Sequence, residues 1–207
     1  MIKTGPALQW RRPLASVLLC GALLTTLSGC VEMLVGGAVI GTVATSDRRT
    51  FAAQAEDQTI AIKSAVKVPN IVGDAGHVNI NSFNRKVLLT GEVRDEAMKT
   101  AVERDVTAID GVHSVANELT IDRVASYSSR SNDALITTKV KASLIDMKDI
   151  SANSFKVVTE SGIVYLMGRV TQREGHIAGN VARGVAGVQK VVKVFEYITD
   201  GESQQAP

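Results

Sequence analysis

The chain has 207 residues, 45% hydrophobic, 21% charged and only 4% aromatic, with a formal net charge of +2. Near-balanced charge and scarce aromatics argue against nucleic-acid binding, which needs a basic face and stacking platforms. Two cysteines cannot make a disulfide-rich scaffold.

Lys3, Arg11 and Arg12 make the N-terminus positive, and residues 14–27 are apolar or small. A spanning helix needs ~20 apolar residues. This shorter run ends in Leu27-Ser28-Gly29-Cys30 and reads as a lipoprotein signal with its lipobox, residues 1–29. Cys30 is then the mature N-terminus and the lipidation site, carrying acyl chains such as palmitate. Cleavage discards Cys20, so no thiol pair remains. It also leaves 20 basic against 21 acidic side chains, a net charge of −1, so the basic excess belongs to the signal. Residues 30–53 read as the lipidated cysteine and a small-residue tether. The glycine-rich part, residues 31–44, is either a flexible or membrane-hugging tether or a small-residue helix that packs on a partner or on lipid. Asp47-Arg48-Arg49 marks its polar end.

The remainder reads twice. Val87-Leu88-Leu89-Thr90-Gly91-Glu92-Val93 lines up with Val164-Tyr165-Leu166-Met167-Gly168-Arg169-Val170, and Gly111-Val112 with Gly187-Val188, at an offset of about 76 residues. The copies fall at 54–123 and 132–199, with a polar linker at 124–131 and a disordered tail at 200–207. Each copy patterns as helix, strand, strand, helix, strand. The expected fold class is α+β, two tandem domains with a three-stranded sheet packed on two helices.

In the first copy, a helix over residues 60–66 is limited by Pro69. Strands follow at 78–83 and 86–93, then a helix with Met98, Val102, Val106 and Ile109 on one face, then a strand at 112–121. In the second copy, Asn132 or Asp133 caps a helix that buries Ile136, Val140 and Leu144. Strands at 155–159 and 163–170 meet in a turn at Glu160-Ser161-Gly162. Ile177, Val181 and Val185 stripe the next helix, and residues 188–198 form the last strand. Gly91 and Gly168 interrupt strands, which is costly unless the backbone is closely approached. Gly111 and Gly187 follow helices and read as C-terminal stops. All four read as structural glycines.

Catalytic and metal chemistry is not indicated. His77, His113 and His176 are far apart and no cysteine remains to join them. No nucleophile elbow or phosphate loop is present, so no enzyme, metal or cofactor is expected. The first helix of the second copy offers a binding surface instead. Leu135 is rotated ~100° from the buried Ile136. Lys139 lies one turn on, and Lys141 and Lys148 are near. An exposed apolar side chain among lysines suits an anionic lipid surface. The alternative is that Leu135 fills the domain edge and the lysines are a solvated face.

The paired strand–glycine and helix–glycine positions resemble the BON domain, over about 140 of the 207 residues. The order of lipobox, small-residue tether, Asp-Arg-Arg and two such domains is similar to the dual BON-domain outer-membrane lipoprotein family of the DolP type. Residues 131–140, Ser-Asn-Asp-Ala-Leu-Ile-Thr-Thr-Lys-Val, are particularly close to that family. The resemblance implies a non-enzymatic protein on the periplasmic side of the outer membrane. Its second domain would bind anionic phospholipid and it would support envelope integrity near division sites. Envelope proteins are further possible partners, and a lipid-tethered protein-interaction scaffold is the alternative function. Val31 after the cysteine is not aspartate, which by the same resemblance favours the outer membrane. Where relatives can carry a large aromatic, this chain has Leu135, which implies weaker lipid affinity or more reliance on the anchor.

Overall fold

The structure is a computed structural model that describes residues 47–204. The signal, Cys30 and most of the tether lie outside the described residues. Residues Ala44–Pro207 form one compact unit. Among the described residues, both domain cores and every capped helix lie within it, so this segment carries what its own folding needs.

The first domain runs α1 (Phe51–Lys67), α2 (Pro69–Val72), β1 (His77–Phe83), β2 (Lys86–Val93), α3 (Glu96–Thr107), β3 (Ser114–Asn117) and β4 (Thr120–Ile121). Thr50 caps α1 by accepting from the Ala53 N–H at 3.1 Å, and Asp95 caps α3 by accepting from Met98 N–H at 2.8 Å. Pro69 stands at the start of α2, where its missing N–H costs nothing. Strand β2 is central, antiparallel to β1 and parallel to β3 and β4. The single strand expected at 112–121 is broken, because the Asn117 side chain takes the Leu119 N–H.

The second domain repeats the order as α4 (Tyr127–Ile145), β5 (Phe155–Glu160), β6 (Ile163–Val170), α5 (Gln172–Arg183) and β7 (Lys190–Tyr197). Strand β6 is central, antiparallel to β5 and parallel to β7. Alternation along β2 and β6 divides their side chains. Val87, Leu89 and Val93 face the helices of their own domain, as do Val164, Leu166 and Val170. Leu88, Tyr165 and Met167 face the other way and pack together with Phe83. The two sheets therefore meet through their helix-free faces, and the layers run helix, sheet, sheet, helix.

Several sequence expectations are corrected. Helix α4 starts at Tyr127 and takes in most of the segment read as linker. Ser126, not Asn132 or Asp133, is its cap. Asp133 sits buried inside α4, because its carboxylate accepts the Ser161 and Gly162 N–H groups at 2.9 and 2.8 Å. Those two residues have positive φ, 50° and 75°, the signature of a type I′ hairpin turn. Asp57 holds the first hairpin the same way, accepting from Asn84 and Arg85 N–H at 2.8 Å each.

Helix α5 does not bury Ile177, Val181 and Val185 fully. Its buried face is Gly175, Ala178, Gly179 and Ala182, which let β7 approach so closely that a Cβ on Gly175 would lie 3.0 Å from Phe195. The tail is not wholly disordered. Thr199 and Glu202 cap each other to start a short α6 (Asp200–Gln204). The end of the expected tether, residues 47–53, is ordered and begins α1.

Gly91 has φ 114°, and a Cβ there would stand 2.1 Å from the His77 carbonyl oxygen, so only glycine fits. Gly168 is approached by the Ser154 carbonyl oxygen in the same manner. Gly111 and Gly187 lie past the helix caps Ala108 and Gly184, and their positive φ turns the chain into the next strand.

Candidate lipid-contact site

Helix α4 spans about 28 Å at 1.5 Å per residue. Asp133, Ile136, Val140 and Leu144 face the core, which commits the opposite side to solvent. Leu135 lies on that outer side and is 60% exposed. It does not fill the domain edge. Lys139 is exposed about 40° round the helix from it. The outer face also carries Tyr127, 85% exposed, and Ile145, 69% exposed. Neither is signalled along the chain, because Tyr127 lies in a polar run and Ile145 beyond the 136/140/144 stripe. The Arg130 guanidinium lies over the Tyr127 ring, 5.0 Å from its centroid.

Lys141 is placed differently. It is roughly 120° from Leu135 around the helix. It lines a cleft of about 510 Å³ walled by α1 and α4, with edge strands β1 and β5 at its base. Lys148 is exposed just past α4. Helix α1 buries Ile60 but leaves Phe51, Ile62 and Val66 exposed on its outer side.

The Asp47-Arg48-Arg49 segment proves to be a clamp. Arg48 makes two hydrogen bonds to the Glu174 carboxylate, at 2.7 and 2.8 Å, and so ties the chain ahead of α1 to the second domain. The Arg48 hydrogen bonds hold the Glu174 carboxyl below its ordinary value. Arg49 bonds Asp47 and Asp57 and stacks over Phe83 at 4.0 Å. Deeper between the sheets, Asn79 donates to Glu160 at 2.6 Å, beside the buried Glu92. Burial, with Glu92 adding repulsion, pushes the Glu160 carboxyl up. Burial likewise pushes the Tyr165 hydroxyl up to about 12.

Among the described residues, no three His, Cys, Asp or Glu side chains are grouped as metal ligands. His176 sits on the exposed face of α5 against Asn180, and His77 opens β1. No helix of the described residues is long and apolar enough to cross a membrane.

Two α-β-β-α-β modules, joined sheet to sheet with their helices outward, define a tandem α+β protein whose first helices each carry exposed apolar side chains. The chain belongs to the BON domain family, which it matches over residues 54–123 and 132–199, and within it to the dual-BON lipoproteins of the DolP type. It is 35% identical to the outer membrane lipoprotein DolP of Haemophilus influenzae, over 83% of this chain and 90% of that one. It is 30% identical to a 21 kDa hemolysin of Actinobacillus pleuropneumoniae, over 73% and 79%. It is 26% identical to the osmotically-inducible protein Y of Escherichia coli, over 55% and 58%. Among solved structures, the C-terminal domain of CdsD from Chlamydia trachomatis aligns with 65% of this chain and 96% of that one, at 11% identity and a TM-score of 0.29.

Proposed function

We propose that this chain is a non-enzymatic lipoprotein, anchored through Cys30 to the periplasmic side of the outer membrane. Helix α4 of its second domain meets anionic phospholipid, and the protein supports envelope integrity, including at division sites. The observation that carries the lipid reading is Leu135, exposed opposite the buried stripe with Lys139 beside it. Tyr127 lengthens the apolar face. The Tyr127 ring suits the headgroup level, and each lysine near an anionic surface adds about 1 kcal/mol. The names of the relatives support the envelope setting.

Weak contact suffices if the anchor keeps α4 at high effective concentration beside the bilayer. The 44–207 segment, which lacks the anchor, should co-sediment with phosphatidylglycerol or cardiolipin vesicles at low salt. Leu135→Glu should weaken this at least tenfold with unchanged unfolding. Failure of the wild-type segment to bind at low salt refutes the reading. The protein-interaction scaffold is favoured by the exposed α1 face. It gains if membrane pull-downs return one partner that is lost with Ile62→Glu and kept with Leu135→Glu.

A further inference from the structure

The cleft between α1 and α4 holds three cations, Arg49, Lys141 and Lys156. Arg49 is occupied by Asp47 and Asp57. The Asp57 carboxylate is in turn saturated by Arg49, Ser82 and the two hairpin N–H groups. That leaves Lys141 and Lys156, neither paired with a carboxylate among the described residues. Lys156 reaches across the domain interface to donate to the Ser82 carbonyl at 3.2 Å. Burial holds its ammonium below the ordinary value; the fields of Arg49 and Lys141 add to this and the Asp57 carboxylate partly opposes it. An anion placed between the lysines offsets their repulsion.

The cleft continues into a second trough of about 280 Å³, sharing Lys141, Asn153 and Phe155 with the first. This trough is walled by Leu144, Ile145, Ala152 and Val157. A cationic chamber that opens into an apolar trough matches a molecule with one anionic end and one hydrocarbon end. At about 510 Å³ the chamber alone is of the size that takes a drug-sized ligand, more than a bare phosphate fills. Lysines bind phosphate as point charges.

We infer that this interdomain cleft binds a single-chain anionic phospholipid as a monomer, with its phosphate between Lys141 and Lys156 and its chain along Ile145 and Phe155. The inference goes beyond the membrane-contact reading, since the cleft needs both domains and no bilayer.

The test titrates the 44–207 segment with lysophosphatidylglycerol below its micelle concentration, read by calorimetry and by amide shifts in α4 and β5. Saturable binding is expected, at least tenfold tighter than for zwitterionic lysophosphatidylcholine and for inorganic phosphate. Lys141→Gln and Lys156→Met should each weaken it at least fivefold, and Ile145→Asp should do so through the chain. Lys141 is exposed, so its variant keeps the fold. Leu135→Glu should leave monomer binding unchanged while it loses vesicles. Equal binding of the two lysophospholipids, or lysine variants that bind like wild type, overturns the inference. So does loss of monomer binding with Leu135→Glu, which assigns the ligand to the outer face of α4. Vesicle binding without monomer binding overturns the cleft alone.

Discussion

Asp133 offers the sharpest test of how this fold is held. If it were a helix cap, Asp133→Ser would be nearly neutral, since serine caps as well as aspartate. In the structure it is a buried carboxylate that accepts two turn N–H groups, at 2.9 and 2.8 Å. A hydrogen bond to a charged group contributes about 1.5–3 kcal/mol. Serine is too short to reach both donors, so the loss should be about 3–5 kcal/mol. At about 2–4 °C per kcal/mol for a domain of this size, the midpoint should fall by roughly 6–20 °C. Asp133→Asn, with one oxygen and an opposing NH₂, should fall between. The assay is thermal and urea unfolding of the 44–207 segment. Asp57→Ser should behave alike, because the first hairpin is held by the same device. A shift below ~1 kcal/mol for Asp133→Ser would refute the turn-anchor argument.

Gly91→Ala forces a Cβ against the His77 carbonyl oxygen and should cost at least about 3 kcal/mol. Gly111→Ala meets only ordinary contacts 3.7 Å away, so it should cost about 1–2 kcal/mol from backbone strain alone. Unfolding midpoints check the order. Arg48→Ala leaves a buried Glu174 without its ion partner and should cost about 3 kcal/mol, read by urea unfolding. Two carboxyls should give opposite pH signatures. Glu174 is lowered in the fold, so its contribution is present above its unfolded pKa and is lost as pH falls through the folded value. Glu160 is raised, so its contribution is present below its unfolded pKa and is lost as pH rises through the folded value. Glu160→Gln should therefore remove the alkaline-side loss, and Glu174→Gln the acid-side loss, in midpoints scanned across pH.

The repeat, the element order and the class of each domain are legible along the chain. Those rest on local signals: period-two runs such as residues 163–170, the 136/140/144 stripe, and glycines where strands and turns crowd the backbone. The sequence also singles out Leu135, which lies ~100° round the helix from Ile136 and outside the 136/140/144 stripe. The lipobox and Cys30 are legible only there, since they lie outside the described residues. Tertiary structure decided what depends on residues distant in sequence. Asp133 looks like a cap until its partners, 28 and 29 residues on, are in place. The small face of α5 is a burial signal only once β7 lies against it. The polar run at 126–132 became helix because Ser126 caps it and Asp133 is drawn into the core. Leu88, Tyr165 and Met167 stand on the helix-free faces of two sheets, and only packing makes them one shared interface. That same packing moved Lys141 from the company of Leu135 into the cleft with Lys156, a pairing that no spacing along the chain records.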